Sequence, residues 1–118
     1  MNRLEPNFNV WFETPEGEVV ASRWRMRLLE AVEEHGSISE AARALDVPYR
    51  VAWQKIHEME QRLGQHLLDT QTGGAEGGGA HLTAAGRDHV ARMRVFCERI
   101  DEAIRTIYRE TIGEPPPA

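Results

Sequence analysis

Arg50, Gln54 and His57 follow one another at intervals of four and three residues, so on a helix they share one face. A guanidinium, a carboxamide and an imidazole together can hydrogen-bond the edges of bases. Arginine matches guanine bidentately and glutamine does the same for adenine. Tyr49, just before them, is within reach of a phosphate or a thymine methyl group. A merely solvated face is the alternative, and base reading is preferred because a groove-seeking helix offers its N-terminal half to bases. Trp53 falls on the flank between this face and the core, where packing competes with contact to DNA. Lys55 reaches either backbone or water. Ser37 and Ser39 stand at a helix start, where free amides favour a phosphate and a capping role is equally served. Thr70, Gln71 and Thr72 offer hydroxyl and amide groups to phosphates from a hairpin, or simply shape its turn.

Other chemistries find no support. Histidines 35, 57, 66, 81 and 89 have no metal-ligand spacing, and no metal or cofactor is expected. Cys97 is the single cysteine, which excludes an internal disulfide, and its position suits a small buried hydrophobe. No nucleophile stands with a base, and the glycine run lacks the Lys-Ser/Thr that completes a phosphate-cradling loop. An enzyme is not expected. With 118 residues the chain is one domain's worth, and 41% hydrophobic with 28% charged residues is ordinary for a soluble fold. No apolar run approaches the roughly 20 residues of a membrane span, and no signal peptide opens the chain, so the expectation is a cytoplasmic protein with no membrane partner.

The elements that must position these groups are marked by changes of period. Phe8, Val10 and Phe12 alternate with polar or flanking residues as a half-buried strand does, Thr14-Pro15-Glu16-Gly17 reads as a turn, and Glu18 to Ala21 returns. Residues 1–21 are thus expected to form a β-hairpin packed on the rest. Trp24, Leu28, Leu29 and Val32 lie on one helical stripe that Gly36 ends. Ser37-Ile38-Ser39-Glu40 is a capping box opening a short helix with Ile38, Ala41, Ala42 and Leu45 inward. Pro48 is placed as the first residue of a third helix carrying Ala52, Ile56, Met59 and Leu63, closed by Gly64. Leu67-Leu68 and Ala80-His81-Leu82 bracket a glycine-rich hairpin tip, which completes a winged unit over 22–83. Thr83 caps a long helix over 84–112, and 113–118 is expected to be a flexible tail. Val90, Met93, Cys97, Ile100, Ile104 and Ile107 recur at three-four spacing, a heptad seam whose simplest partner is its own copy. The fold class expected is mainly α with small β elements: a winged helix-turn-helix with an N-terminal β-hairpin and a long dimerisation helix.

Gly36-Ser37-Ile38-Ser39-Glu40-Ala41-Ala42, Tyr49-Arg50-Val51-Ala52-Trp53 and Glu58-Met59 resemble the N-terminal domain of ModE-type molybdenum-responsive transcriptional regulators. Thr72-Gly73-Gly74, Gly77-Gly78-Gly79-Ala80 and Leu82-Thr83 resemble the wing of that family, and the likeness covers about residues 22 to 110. A looser similarity extends to LysR-type regulators. The resemblance implies a homodimeric transcriptional regulator that binds double-stranded DNA at an inverted-repeat operator. With the face positions read above, DNA contact is expected from Ser37, Ser39, Pro48, Tyr49, Arg50, Trp53, Gln54, His57, Thr70 and Thr72. ModE-type regulators carry downstream molybdate-binding domains, whereas this sequence stops at Ala118, so molybdate binding is not expected of it. The family's wing is basic, but here Ala75 and Glu76 occupy it and no Lys or Arg lies between Asp69 and Thr83.

Charge runs against this reading. The net charge is -5, and between Gly36 and Thr83 four basic residues (Arg43, Arg50, Lys55, Arg62) meet six acidic ones (Glu40, Asp46, Glu58, Glu60, Asp69, Glu76). Rival expectations are a dimeric winged-helix module that binds another protein, and an oxyanion-responsive regulator with little or no DNA binding. Helix one also inverts the usual order, with Arg23, Arg25 and Arg27 at its start and Glu30, Glu33 and Glu34 at its end. Either the arginines meet DNA or partner carboxylates, or pairs such as Arg27 with Glu30 offset the dipole.

Overall fold

In a computed structural model, residues 4–71 and 79–113 are described. Two short strands open the chain, β1 (Trp11–Glu13) and β2 (Val19–Ser22), paired antiparallel with a register irregularity between Phe12 and Glu13. The ordered pairing is shorter than the alternation of Phe8, Val10 and Phe12 predicts. Phe8 and Val10 lie before it, half-buried against the core, while Phe12 is exposed. The turn between the strands places Gly17 at φ 87°, a conformation that favours glycine.

Helix α1 (Arg23–His35) begins where Ser22 Oγ accepts the Arg25 N–H, and it ends at Gly36, whose φ of 80° and bond to the Val32 carbonyl make the expected stop. Helix α2 (Ile38–Ala44) starts with the forward half of the capping box, the Glu40 N–H donating to Ser37 Oγ at 3.0 Å. Glu40 does not complete the box; its carboxylate pairs with Arg43 instead. Helix α3 (Tyr49–Leu63) is preceded by Pro48 as the cap residue, not as the first helical residue that its fixed φ suggests. With ψ at 146°, Pro48 stays extended and its carbonyl accepts from Val51 and Ala52.

Strands β3 (Leu68–Gln71) and β4 (Gly79–Leu82) pair antiparallel as the wing, with Leu68 opposite Leu82 and Gln71 opposite Gly79. Helix α4 (Ala84–Thr111) follows, its first turn capped by Thr83 Oγ accepting the Gly86 N–H. Its 28 residues make a rod about 42 Å long. The architecture is the expected winged helix-turn-helix, mainly α, with an added hairpin and a long last helix.

The core gathers Leu28, Leu29 and Val32 from α1, Ala41 and Ala42 from α2, and Ala52, Ile56 and Met59 from α3. Three fully covered alanines let α2 and α3 approach closely, as their small size demands. Val90, Met93 and Cys97 of α4 are also buried in this core, at 8%, 4% and 5% exposure. That corrects their assignment to a seam between copies. Helix α4 lies along α1 and uses this half of its apolar repeat inside its own chain. Ile100 and Ile104 are half-buried, and Ile107 is exposed.

Candidate nucleic-acid interface

The α2–turn–α3 unit presents α3 with one side closed and the other open. Ala52, Ile56 and Met59 are buried, which turns Tyr49, Arg50, Trp53 and Gln54 outward; all four are exposed. His57 continues the same side one turn later and is half-buried. Tyr49 and Trp53 retain 53% and 43% of their surface. Trp53, which the sequence places between core and groove, stacks on His57 with ring centroids 3.7 Å apart. Arg50 forms no ion pair with another described residue. Pro48 and Ser39 are exposed beside this surface, and Ser37 is half-buried as the α2 cap. Thr70 is exposed on β3; Thr72 and the glycine run from 73 to 78 lie outside the described residues.

One flank of α3 is fixed by a charge network that sequence reading did not find. Arg25, only 7% exposed, donates from α1 to the Lys55 carbonyl at 3.3 Å and to Glu58 Oε1 from both terminal nitrogens. Lys55 Nζ lies 3.6 Å from the same carboxylate and Arg62 3.8 Å from it. Arg62 also donates to the Val19 carbonyl at 2.7 Å and pairs with Glu18, which ties α3 to the N-terminal hairpin. Partial burial by itself raises the Glu58 pKa, but Lys55, Arg25 and Arg62 outweigh it and hold the carboxyl below its ordinary value. Lys55 thus points at Glu58 rather than only at water. The signal for Arg25 was present, since it falls in phase with Leu28, Leu29 and Val32 on the buried stripe of α1. Its partner, 33 residues away, was not.

The wing root is held in the same manner. Glu60 Oε2 accepts the Leu67 and Leu68 N–H groups at 2.9 and 3.2 Å, and Glu33 Oε2 accepts the Leu82 N–H at 3.0 Å. Thr83 closes the loop by donating its hydroxyl to the His66 carbonyl. The acidic residues that counted against nucleic acid are therefore partly occupied by partners within the chain. Glu58 and Glu60 are half-buried and bonded inward, and Glu40 is paired. The helix-one arginines divide: Arg23 lies over the Phe8 ring at 4.3 Å, Arg25 is buried, and Arg27 is exposed. Glu30 pairs with Arg94 of α4 rather than with Arg27.

Among the described residues, no group of three His, Cys, Asp or Glu stands together to hold a metal, and no helix is long and apolar enough to cross a membrane. His89 is half-buried, its Nε2 has no hydrogen-bond partner among the described residues, and burial lowers its pKa against the opposing effect of Asp88.

Residues 24–87 match the profile of the bacterial regulatory helix-turn-helix proteins of the lysR family. The chain is 43% identical over 72 residues to the molybdenum transport protein ModE of Azotobacter vinelandii, covering 61% of this chain and 27% of that one. It is 44% identical over 64 residues to the DNA-binding transcriptional dual regulator ModE of Escherichia coli K12, covering 53% and 24%. The chain thus spans about a quarter of the length of these relatives. Among solved structures, the CbnR DNA-binding domain in complex with DNA superposes with a TM-score of 0.57 at 26% identity, over 73% of this chain and 97% of that one.

Proposed function

This chain belongs to the bacterial regulatory helix-turn-helix proteins of the lysR family, and from that premise we propose that it is a DNA-binding transcriptional regulator, acting as a homodimer with α3 in the major groove. The observation that carries the reading is the open face of α3. Tyr49, Arg50, Trp53 and Gln54 are exposed together, while the acidic residues of the same helix, Glu58 and Glu60, are half-buried and engaged by basic side chains and by the wing backbone. Such a face offers guanidinium and carboxamide groups to base edges, with the charge of the neighbouring Glu58 carboxylate offset by Arg25, Lys55 and Arg62. The relative named a DNA-binding regulator and the DNA complex of CbnR support the same conclusion. Ser37, Ser39 and Thr70 are assigned to phosphate contact, and Pro48, which has no N–H, to apolar contact with DNA at the start of α3. No catalytic step belongs to this function.

The homodimer is supported by α4. Val95 and Phe96, just before Cys97, are 54% and 38% exposed, and beyond it Ile107 is 57% exposed. The interface proposed runs over Val95, Phe96, Ile100, Ile104 and Ile107, displaced from the seam that spacing alone indicates. The acidic balance of -5 favours one rival, a winged-helix module that binds a protein.

A gel shift at low salt with random-sequence duplex, wild type against Arg50→Ala, separates the two. Retardation of the wild type that weakens severalfold in the variant, as removing one positive charge from the DNA-facing side predicts, supports the regulator. Equal behaviour of both proteins with no retardation supports the rival.

A further inference from the structure

Two side chains on the open face of α3 act as one unit. The Trp53 and His57 rings stack with an interplanar angle of 23°, and His57 Nδ1 lies 3.0 Å from the Trp53 carbonyl oxygen. A carbonyl oxygen only accepts, so Nδ1 carries the hydrogen, and in the neutral ring Nε2 keeps its lone pair. The backbone one turn earlier thereby selects the tautomer. Nε2 has no partner among the described residues. It is also absent from the buried unpartnered side-chain atoms, of which His89 Nε2 is the one described. His57 Nε2 is therefore open to solvent and available as an acceptor.

The neighbours on this face give that acceptor a distinct value. Arg50 can only donate, the Trp53 indole can only donate, and Gln54 does both. The carboxylates of α3 that would otherwise accept, Glu58 and Glu60, are engaged with Arg25, Lys55 and Arg62 and with the wing backbone. In the major groove, adenine and cytosine differ from thymine and guanine by offering an exocyclic amino donor. We propose that His57, held flat by Trp53 and in the Nδ1–H tautomer by its carbonyl, is a specificity-determining residue that accepts a hydrogen bond from the amino group of an adenine or cytosine. The stack removes rotamer freedom before binding, so little ordering remains to oppose the contact. This inference rests on the reading of α3 as a DNA-contacting helix.

The test is selection of bound duplexes from a random pool by the wild-type chain and by His57→Phe and His57→Gln in parallel. Phenylalanine keeps a flat ring against Trp53 and removes the acceptor; glutamine restores an acceptor. Wild type is expected to favour an amino-bearing base at one position of each half-site, by roughly three- to tenfold for one neutral hydrogen bond. His57→Phe loses that preference alone, and His57→Gln recovers part of it. Should His57→Phe not fold, the wild-type chain is titrated on its selected duplex with that adenine replaced by purine, or that cytosine by 2-pyrimidinone, which lack the amino group. The same three- to tenfold loss is expected. Selection of identical sequences by wild type and His57→Phe, or indifference to the missing amino group, overturns the assignment of His57 while leaving DNA binding intact. If wild type enriches nothing, the DNA reading itself fails and this inference with it.

Discussion

Burial of Arg25 sets the behaviour of the residues around it. An arginine in the hydrophobic phase of α1 needs acceptors, and it obtains the Lys55 carbonyl and the Glu58 carboxylate. One consequence is acid sensitivity. Glu58 has its pKa held below the ordinary 4.5, so its contribution to stability is complete above that value and is lost as pH falls through the lowered one. His89 is depressed below 6.5 by burial; the folded state prefers it neutral, so its contribution too is present above 6.5 and declines as pH falls. Thermal melting points are expected to drop from pH 7 to pH 5, and His89→Leu is expected to flatten that drop. A variant with an unchanged slope across this window would show that His89 does not couple protonation to folding.

Element by element, the local signals were legible and the long-range ones were not. Ser37 and Thr83 as caps, with Gly36 and Gly64 as stops, announce α1 to α4 through rules that act within one helical turn. The outward direction of Arg50 and Gln54 followed from the buried phase of Ala52 and Ile56. Periodicity says that one side of α4 is apolar, yet it does not say what covers it; α1 covers Val90, Met93 and Cys97. Pro48 was placed one position too far into α3 because its φ suits both the cap and the first helical residue, and only ψ distinguishes them. Gly86 carried no legible signal, being a glycine in a first turn. A Cβ there would stand 2.2 Å from the Leu67 carbonyl oxygen, so the wing root and α4 meet only because it is absent. Gly86→Ala gains about 1 kcal/mol of helix propensity, but overpacking against backbone costs roughly 1–3 kcal/mol and sometimes more. Net destabilisation is expected in urea unfolding; an unchanged or raised midpoint would mean that the two elements can separate freely.

At the scale of the whole molecule, α4 serves two purposes along its length. Its first half closes the core, and its second half carries apolar side chains that are half-buried at Ile100 and Ile104 and exposed at Ile107. Helices that expose such a stripe commonly pair. Val95→Glu with Ile107→Glu is expected to convert a dimer into a monomer in sedimentation equilibrium. The melting point of the winged unit should change little in the monomer, because neither residue belongs to the core. A wild-type chain that sediments as a monomer at tens of micromolar would remove the paired arrangement. Pairing also bears on the net charge of -5, since two modest contacts joined on one duplex bind far more tightly than either alone.

The outward side of α3, shown twice to one duplex, is the central claim. The most direct measurement is the sequence that the purified wild-type chain enriches from a random duplex pool. Two half-sites in inverted orientation, centred about one helical turn of DNA or a multiple of it apart, are the predicted result. Enrichment of nothing at low salt, or of a site without two-fold symmetry, would contradict it.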